Sequence, residues 1–361
     1  MSQAVLHILQ PGAFASVQDL GRPGWRGQGV PASGALHPPG LQAANVLAGQ
    51  PPGAPAIELI GGGLVAEARG APLRLAVAGP CTMELLAEGQ PPRRLAPWRS
   101  LTLYPGQRLR LAAPAVGRVA YLAAAGLALP AMLGSASTCL RAGFGGHVPQ
   151  EGRLLRAGDT LPALAADARA GLQALAAPPE AAEWDATAAP IRAVPGPQAD
   201  HFAPDQQAAF WAAAWTLTRD ADRMGLRLAG PVLAHRQDDP HKGAEIVTDA
   251  TVPGAIQVPG HGQPIVLLAD GHTAGGYPKI ATVCTADLPR LAVAAPGAVL
   301  RFAPVTAAAA QALAREAAQA WLARLAALTP LPPMPPDAPA LDEAALYGGN
   351  LVSGVVNARQ P

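Results

Sequence analysis

Apolar positions come in short runs closed by turn residues. Val5–Leu9 is one such run, ended by Pro11-Gly12. Leu73–Val77, Leu101–Tyr104, Leu109–Leu111 and Val119–Leu122 follow, most of them bounded by glycine or proline. Strands this short, punctuated this often, predict an antiparallel barrel or sandwich. Long helices do not alternate with the strands, which disfavours a doubly wound parallel sheet.

Helical patterning is sparse. Leu41–Leu47 is a short candidate, and Leu164–Leu175 is an Ala-rich one running toward Pro178-Pro179. Asp205–Trp215 starts at Pro204-Asp205, a reasonable helix opening. Thr306 is placed to cap a long helix through about Leu328, with Leu313, Trp321, Leu322 and Leu325 as its apolar residues, and the run Pro330–Pro336 ends it.

The stretch from Leu164 to Pro190 is low in complexity and reads as a linker. The expected organisation is therefore an N-terminal unit over residues 1–185, a second over 190–306, and a helix, Pro-rich linker and tail over 307–361. Pro105–Ala112 and Pro296–Ala303 echo one another as a turn feeding a strand. The apolar tail Leu341–Pro361 is expected to dock on its own chain or on a partner.

Composition narrows the classes. A chain of 361 residues exceeds the size at which single cores stop growing, about 250–300 residues, so two domains are expected. Half the residues are hydrophobic and 14% charged, which excludes a mainly disordered chain. The net charge of +1 with scattered arginines leaves no basic field for nucleic acid or an anionic membrane. Cys81, Cys139 and Cys284 are too few and too far apart for a disulfide framework or a structural zinc site, and fit a reducing compartment. Met1–Gln10 lacks the basic-then-apolar order of a signal peptide, so a cytoplasmic location is expected. Val119–Leu140 is uncharged, but Gly126, Pro130 and Gly134 break it, so it reads as a buried strand and turn rather than a membrane span.

Candidate chemistry is concentrated in Gly254–Leu288. An apolar strand, Ile265–Ala269, delivers Asp270 at its end. Gly275-Gly276 then lets the backbone approach a ligand, and Lys279 follows Asp270 by nine residues. A carboxylate and an ammonium beside such a loop are suited to polarise a carbonyl and move a proton; the plainer alternative is a tight hairpin with a surface ion pair. Lys242 and Lys279 are the only lysines among otherwise arginine cations, which makes a retained lysine informative. Asp19 and Arg22 flank Gly21 in a turn-type sequence, Asp-Leu-Gly-Arg-Pro-Gly, where arginine can grip a carboxylate or phosphate or simply pair with Asp19. Arg223 and Arg227 flank Gly225, either facing a pocket or lying at solvated strand ends. His235, Asp238, Asp239, His241 and Glu245 have metal-ligand types but no ligand spacing, so no metal is expected. There is no P-loop, no GxSxG, and no biotinyl-lysine context at either lysine, so no biotin is expected on this chain.

Seven strings, taken in order, resemble one family: Val17–Gly24, Gly29–Ala35, Leu140–Gly146, Pro195–Gln198, Asp222–Leu228, Gly254–Pro259 and Gly262–Lys279. The family comprises the C subunit of bacterial 5-oxoprolinase, the KipA-type proteins and the carboxyltransferase domain of urea amidolyase, and the likeness runs over roughly residues 4–306. It implies a mainly β chain built of two cyclophilin-like β-barrel subdomains with a few short helices and a C-terminal helix. It implies work beside a KipI-like B subunit and an A subunit, opening 5-oxoproline to glutamate with ATP held in the assembly. A biotin-dependent carboxyltransferase acting on urea-like amides and a non-catalytic KipA-type antagonist of a kinase inhibitor are the alternatives. Carried onto this sequence, the resemblance implies Lys279 and Asp270 as catalytic groups. It implies Gln257, Arg223, Asp19, Arg22, Gly275, Gly276 and Tyr277 as substrate-binding ones. Three departures stand out: His37 replaces a usual Asp, Thr248 a usual Ser, and Gly271–Ala274 is a looser form of its loop.

Overall fold

The computed structural model describes residues 4–239 and 241–335; the tail Leu341–Pro361 lies outside them. The N-terminal half consists of two antiparallel sheets packed face to face. One has six strands in the order Thr160–Pro162, Val5–Pro11, Leu64–Arg69, Arg108–Leu111, Met83–Leu86, Arg93–Leu95. The other has seven, in the order Phe14–Gln18, Ala56–Ile60, Val119–Ala124, Leu73–Ala78, Arg99–Leu103, Leu172–Leu175, Leu328–Leu331.

The strand Val119–Ala124 shows how the layers form. All six residues are buried, but they alternate in what they pack against. Ala120, Leu122 and Ala124 face the core shared with the six-stranded sheet, while Val119, Tyr121 and Ala123 face a second core. Period-two alternation thus supplies two apolar faces, and both must be covered. Helix α1, Pro38–Ala48, covers the outer one with Leu41, Ala44 and Leu47, all fully buried. His37 caps it: Nδ1 accepts from Gly40 N at 2.9 Å. The unusual histidine therefore serves as an N-cap, the job a carboxylate does well, and stacks on Trp184 with ring centroids 3.9 Å apart.

The C-terminal half is a nearly closed eight-stranded barrel. Its order is Val299–Leu300, Trp215–Ala221, Gly225–Ala229, Ile265–Leu267, Ala255–Gln257, Lys279–Val283, Ile191–Pro195, Phe302–Pro304. The two outer members are consecutive in the chain, separated only by Arg301, so one stretch pairs with both edges. A separate ribbon, Asp249–Ala250 with Ala274–Gly275, stands beside the barrel. Helices α2 (Pro204–Ala212), α3 (Leu288–Ala292) and α4 (Ala307–Ala326) complete the description.

Three expectations change. The Ala-rich stretch near Leu172 is a strand, not a helix, and Trp184 within the expected linker is 1% exposed. Helix α2 stops at Ala212, and Trp215 opens a barrel strand, its Nε1 donating to Phe210 O at 3.1 Å. Beyond α4, which Thr306 Oγ1 caps by accepting from Ala309 N, the chain returns to the N-terminal half, where Leu328–Leu331 pairs with Leu172–Leu175. Among the described residues no helix is long and apolar enough to cross a membrane.

The halves are stitched together by two arginines, Arg118 buried and Arg26 half-buried. Arg118 donates to Ala221 O at 3.1 Å and to Ala292 O at 3.2 Å. Arg26 donates to Thr251 O at 2.8 Å and to His272 O at 3.2 Å.

Candidate functional site

At the junction the loop after Phe14–Gln18 meets the end of the strand Ile265–Leu267; Ser33 N donates to Ala269 O at 3.1 Å. Arg223 is the centre of this contact and is 3% exposed. Its Nε and Nη2 bond Asp270 at 2.8 and 3.2 Å, its Nη1 bonds Glu58, and Nη2 also reaches Gly34 O at 2.6 Å. Burial opposes the guanidinium's charge, but Asp270 and Glu58 outweigh it and hold the pKa above its ordinary value. Glu58 is further held by Leu36 N and Tyr121 Oη, each at 2.7 Å. Burial, then the Glu58 charge, push the Tyr121 phenol well up, so it acts as a donor.

Asp19 and Arg22 are locked into the same region but not to each other. Asp19 Oδ1 accepts from Gly21 N at 2.7 Å and from Ser135 and Ser137 hydroxyls at 2.6 Å, and Oδ2 from Ala136 N at 2.7 Å. All its capacity is spent on shaping two loops. Arg22, fully buried, donates Nη2 to Ser137 O and lies 4.7 Å over the Phe144 ring. Its Nε and Nη1 have no acceptor among the described residues, and burial lowers its pKa against the pull of Cys139, Asp19 and Asp270.

The open part of the site is a groove of about 830 Å³ running along the barrel strands, lined by Gln257, His272, Tyr277, Arg141, Asp222 and Met224 among others. It continues past Gly275 and Gly276 into a further 550 Å³ that shares Arg141, His272 and Tyr277. His272 Nε2 donates to Gln257 Oε1 at 3.1 Å, which leaves Nδ1 as an acceptor. Burial, then the charges of Arg141 and Arg26, lower the His272 pKa and so favour the neutral ring. Gln257 Nε2 is buried and has no acceptor among the described residues. Gly275 lies directly over this pair: a Cβ there would sit 2.6 Å from Gln257 Nε2 and 2.8 Å from His272 Nε2.

Lys279 is the cross-strand partner of Gln257. Its side chain is 4% exposed and its Nζ bonds Asp249 of the ribbon at 2.7 Å. That bond, first among several, keeps the Asp249 carboxyl below its usual range. Gln198 joins from the other side, Nε2 donating to Asp249 at 3.2 Å.

The structure thus brings Gln257, Gly275, Gly276, Tyr277 and Lys279 together, and gathers Asp270, Arg223, Asp19 and Arg22 in a buried cluster at the junction. Asp270 and Lys279 do not pair. Sequence reading missed His272, Glu58, Asp249 and Arg141. Of these, His272 and Arg141 lie inside the strings singled out, so their position in a glycine-rich loop was a usable signal. Among the described residues no group of three or more histidine, cysteine or acidic side chains is placed to hold a metal ion.

Two β units with a polar groove and glycine-lined ribbon where they meet define a two-part carboxyltransferase-type domain. The chain belongs to the family described as carboxyltransferase domain, subdomain A and B, whose model matches residues 28–304. It is 38% identical to the C subunit of 5-oxoprolinase from Escherichia coli (strain K12), over 82% of this chain and 90% of that protein. In structure it resembles the crystal structure of TTHA0988, with a TM-score of 0.70 and 34% identity over 83% of this chain and 55% of that one. It also resembles the Kluyveromyces lactis urea carboxylase, with a TM-score of 0.75 and 26% identity over 90% of this chain. The chain spans about half the length of the first of these solved proteins and 29% of the second.

Proposed function

We propose that the chain is the C subunit of an ATP-dependent 5-oxoprolinase, contributing the lactam side of the site in an assembly with A and B subunits in the cytoplasm. The observation that carries this reading is the Gln257–His272 pair: an unpaired amide N–H beside a neutral imidazole with a free acceptor nitrogen. Gln257 Nε2 donates to the lactam carbonyl oxygen. His272 Nδ1 exchanges a proton with the attacking water or the ring nitrogen. Lys279, adjacent to Gln257, offsets negative charge developing on that oxygen once Asp249 has moved aside. Tyr277 and the Gly275-Gly276 backbone line the approach. Asp270, Arg223, Asp19 and Arg22 hold the junction in register and act as positioning residues. ATP is assigned to the partner subunits, since this sequence carries no glycine-rich phosphate loop.

A second reading, transfer of a carboxyl group to a urea-like amide from biotin carried elsewhere, is supported by the similarity to the yeast urea carboxylase. Both reactions activate an N–C=O unit, and one groove suits either. Co-purification with the A and B subunits, followed by assay of ATP hydrolysis with 5-oxoproline or with urea and bicarbonate, separates them. Turnover dependent on 5-oxoproline and lost in His272→Ala supports the first. Turnover with urea alone, or no dependence on this chain, overturns it.

A further inference from the structure

A second cavity, of about 820 Å³, lies between the start of α1, the turn Ala181–Trp184, α3 and α4. It shares no lining residue with the groove at Gln257. Its size falls in the range of small-molecule sites, about 300–1,000 Å³. Its walls are mostly apolar: the rings of Trp184 and Trp321, four prolines, and alanines including Ala317 and Ala320 of α4.

Its charges do not cancel. Arg324 pairs with Glu183 at 2.7 Å, and Arg192 grips Asp287 through bonds of 2.6 and 2.8 Å. Arg290 is the surplus cation. Its nearest carboxylate oxygen, on Asp287, is 4.0 Å away, and its Nη1 and Nη2 rest on the carbonyls of Asp185, Ala186, Ala189 and Pro190. Burial lowers its pKa, so an additional anion in the cavity would favour its charged form.

His37 adds a neutral donor to the same wall. Gly40 N occupies Nδ1, which fixes the proton on Nε2. Burial brings its pKa down to about 3, so the ring stays uncharged at working pH. The indole N–H groups of Trp184 and Trp321 have no acceptor among the described residues. A ligand with a carboxylate and a flat apolar body answers the surplus cation, the His37 donor and the apolar walls.

We propose that this cavity is a second binding site, distinct from the groove, for a small organic monocarboxylate carrying an apolar ring. The ring lies against Trp184 and Trp321, and the carboxylate faces Arg290 and the His37 Nε2–H. Nothing in this assignment depends on the proposed activity.

Isothermal titration of the full chain with sodium benzoate, and with benzyl alcohol as the neutral control, tests it. One benzoate per chain is expected, bound at least about tenfold more tightly than the alcohol, the worth of a charge-assisted hydrogen bond. Ala320→Trp and Ala317→Phe start from exposed positions on α4, so they fill the cavity without disturbing the core; each should abolish benzoate binding at an unchanged melting temperature. Gly275→Ala, in the groove, should leave benzoate binding intact. The proposal falls if benzoate gives no saturable heat at millimolar concentration, if the alcohol binds equally well, or if binding survives both cavity-filling variants. It falls too if Gly275→Ala removes the binding.

Discussion

Arg223 and Glu58 join the two halves through a buried ion pair: the arginine comes from the turn before Gly225–Ala229 and the glutamate from the middle of Ala56–Ile60, with side chains 3% and 0% exposed. Asp270 completes the group. One cation faces two carboxylates, so removing the arginine would leave two buried negative charges without a counter-ion.

Arg223→Met is therefore expected to destabilise the protein by roughly 3–5 kcal/mol, read as a lowered urea midpoint. The triple variant with Glu58→Gln and Asp270→Asn should recover part of that loss, since it removes the stranded charges as well. An additive result, with the triple variant worse than Arg223→Met alone, would show that charge stranding is not the cause.

Gly275 controls the groove without supporting the fold. The atoms nearest a methyl group there are the ends of two side chains, Gln257 and His272, rather than backbone. Gly275→Ala should melt within about 1 kcal/mol of the parent but lose most 5-oxoproline-dependent turnover in the reconstituted assembly. Full turnover would place the substrate elsewhere.

Lys279→Ala is expected to fold, keep its partner subunits and lose about 10²–10³ in turnover, the usual cost of removing one group that stabilises developing charge. Lys279→Arg should rescue poorly, because a planar guanidinium cannot take the position of a compact ammonium beside Gln257. If Lys279→Ala turns over normally with its partners bound, the residue only anchors the ribbon through Asp249.

His37 imposes a pH dependence on stability. Its folded pKa is about 3, against about 6.5 when unfolded. Between those values the unfolded chain binds the extra proton, so stability is full above pH 6.5 and falls as pH drops, by about 1.4 kcal/mol per unit. His37→Asn keeps an N-cap acceptor but does not titrate. The stability difference between pH 7.5 and pH 4.5 should shrink by roughly 2–3 kcal/mol in this variant, measured by urea unfolding. Parallel pH profiles for parent and variant would overturn the assignment.

The strands are legible in the sequence because turn residues bound them: Val5–Leu9, Leu73–Val77 and Val119–Leu122 all fall inside observed strands. Leu172–Leu175 is not, because its composition is that of a helix and only pairing with Arg99–Leu103 and Leu328–Leu331 makes it a strand. Trp215 reads as helical for the same reason; its neighbours in the barrel decide its conformation. In the site, the glycine-rich loop and Lys279 can be found from residue types. Glu58 cannot, since it stands 165 residues from Arg223 within an apolar strand. Nor can Asp249, whose importance comes from a ribbon that local sequence does not encode.

The return of Leu328–Leu331 to the first half has a consequence for synthesis. The seven-stranded sheet lacks its outermost member until nearly the whole barrel and α4 have left the ribosome. Until then Leu172–Leu175 is an unpaired edge, open to pairing with another nascent chain. Among the described residues the last strand to emerge is thus the one that seals the first domain, so that domain is finished only after the barrel has been made.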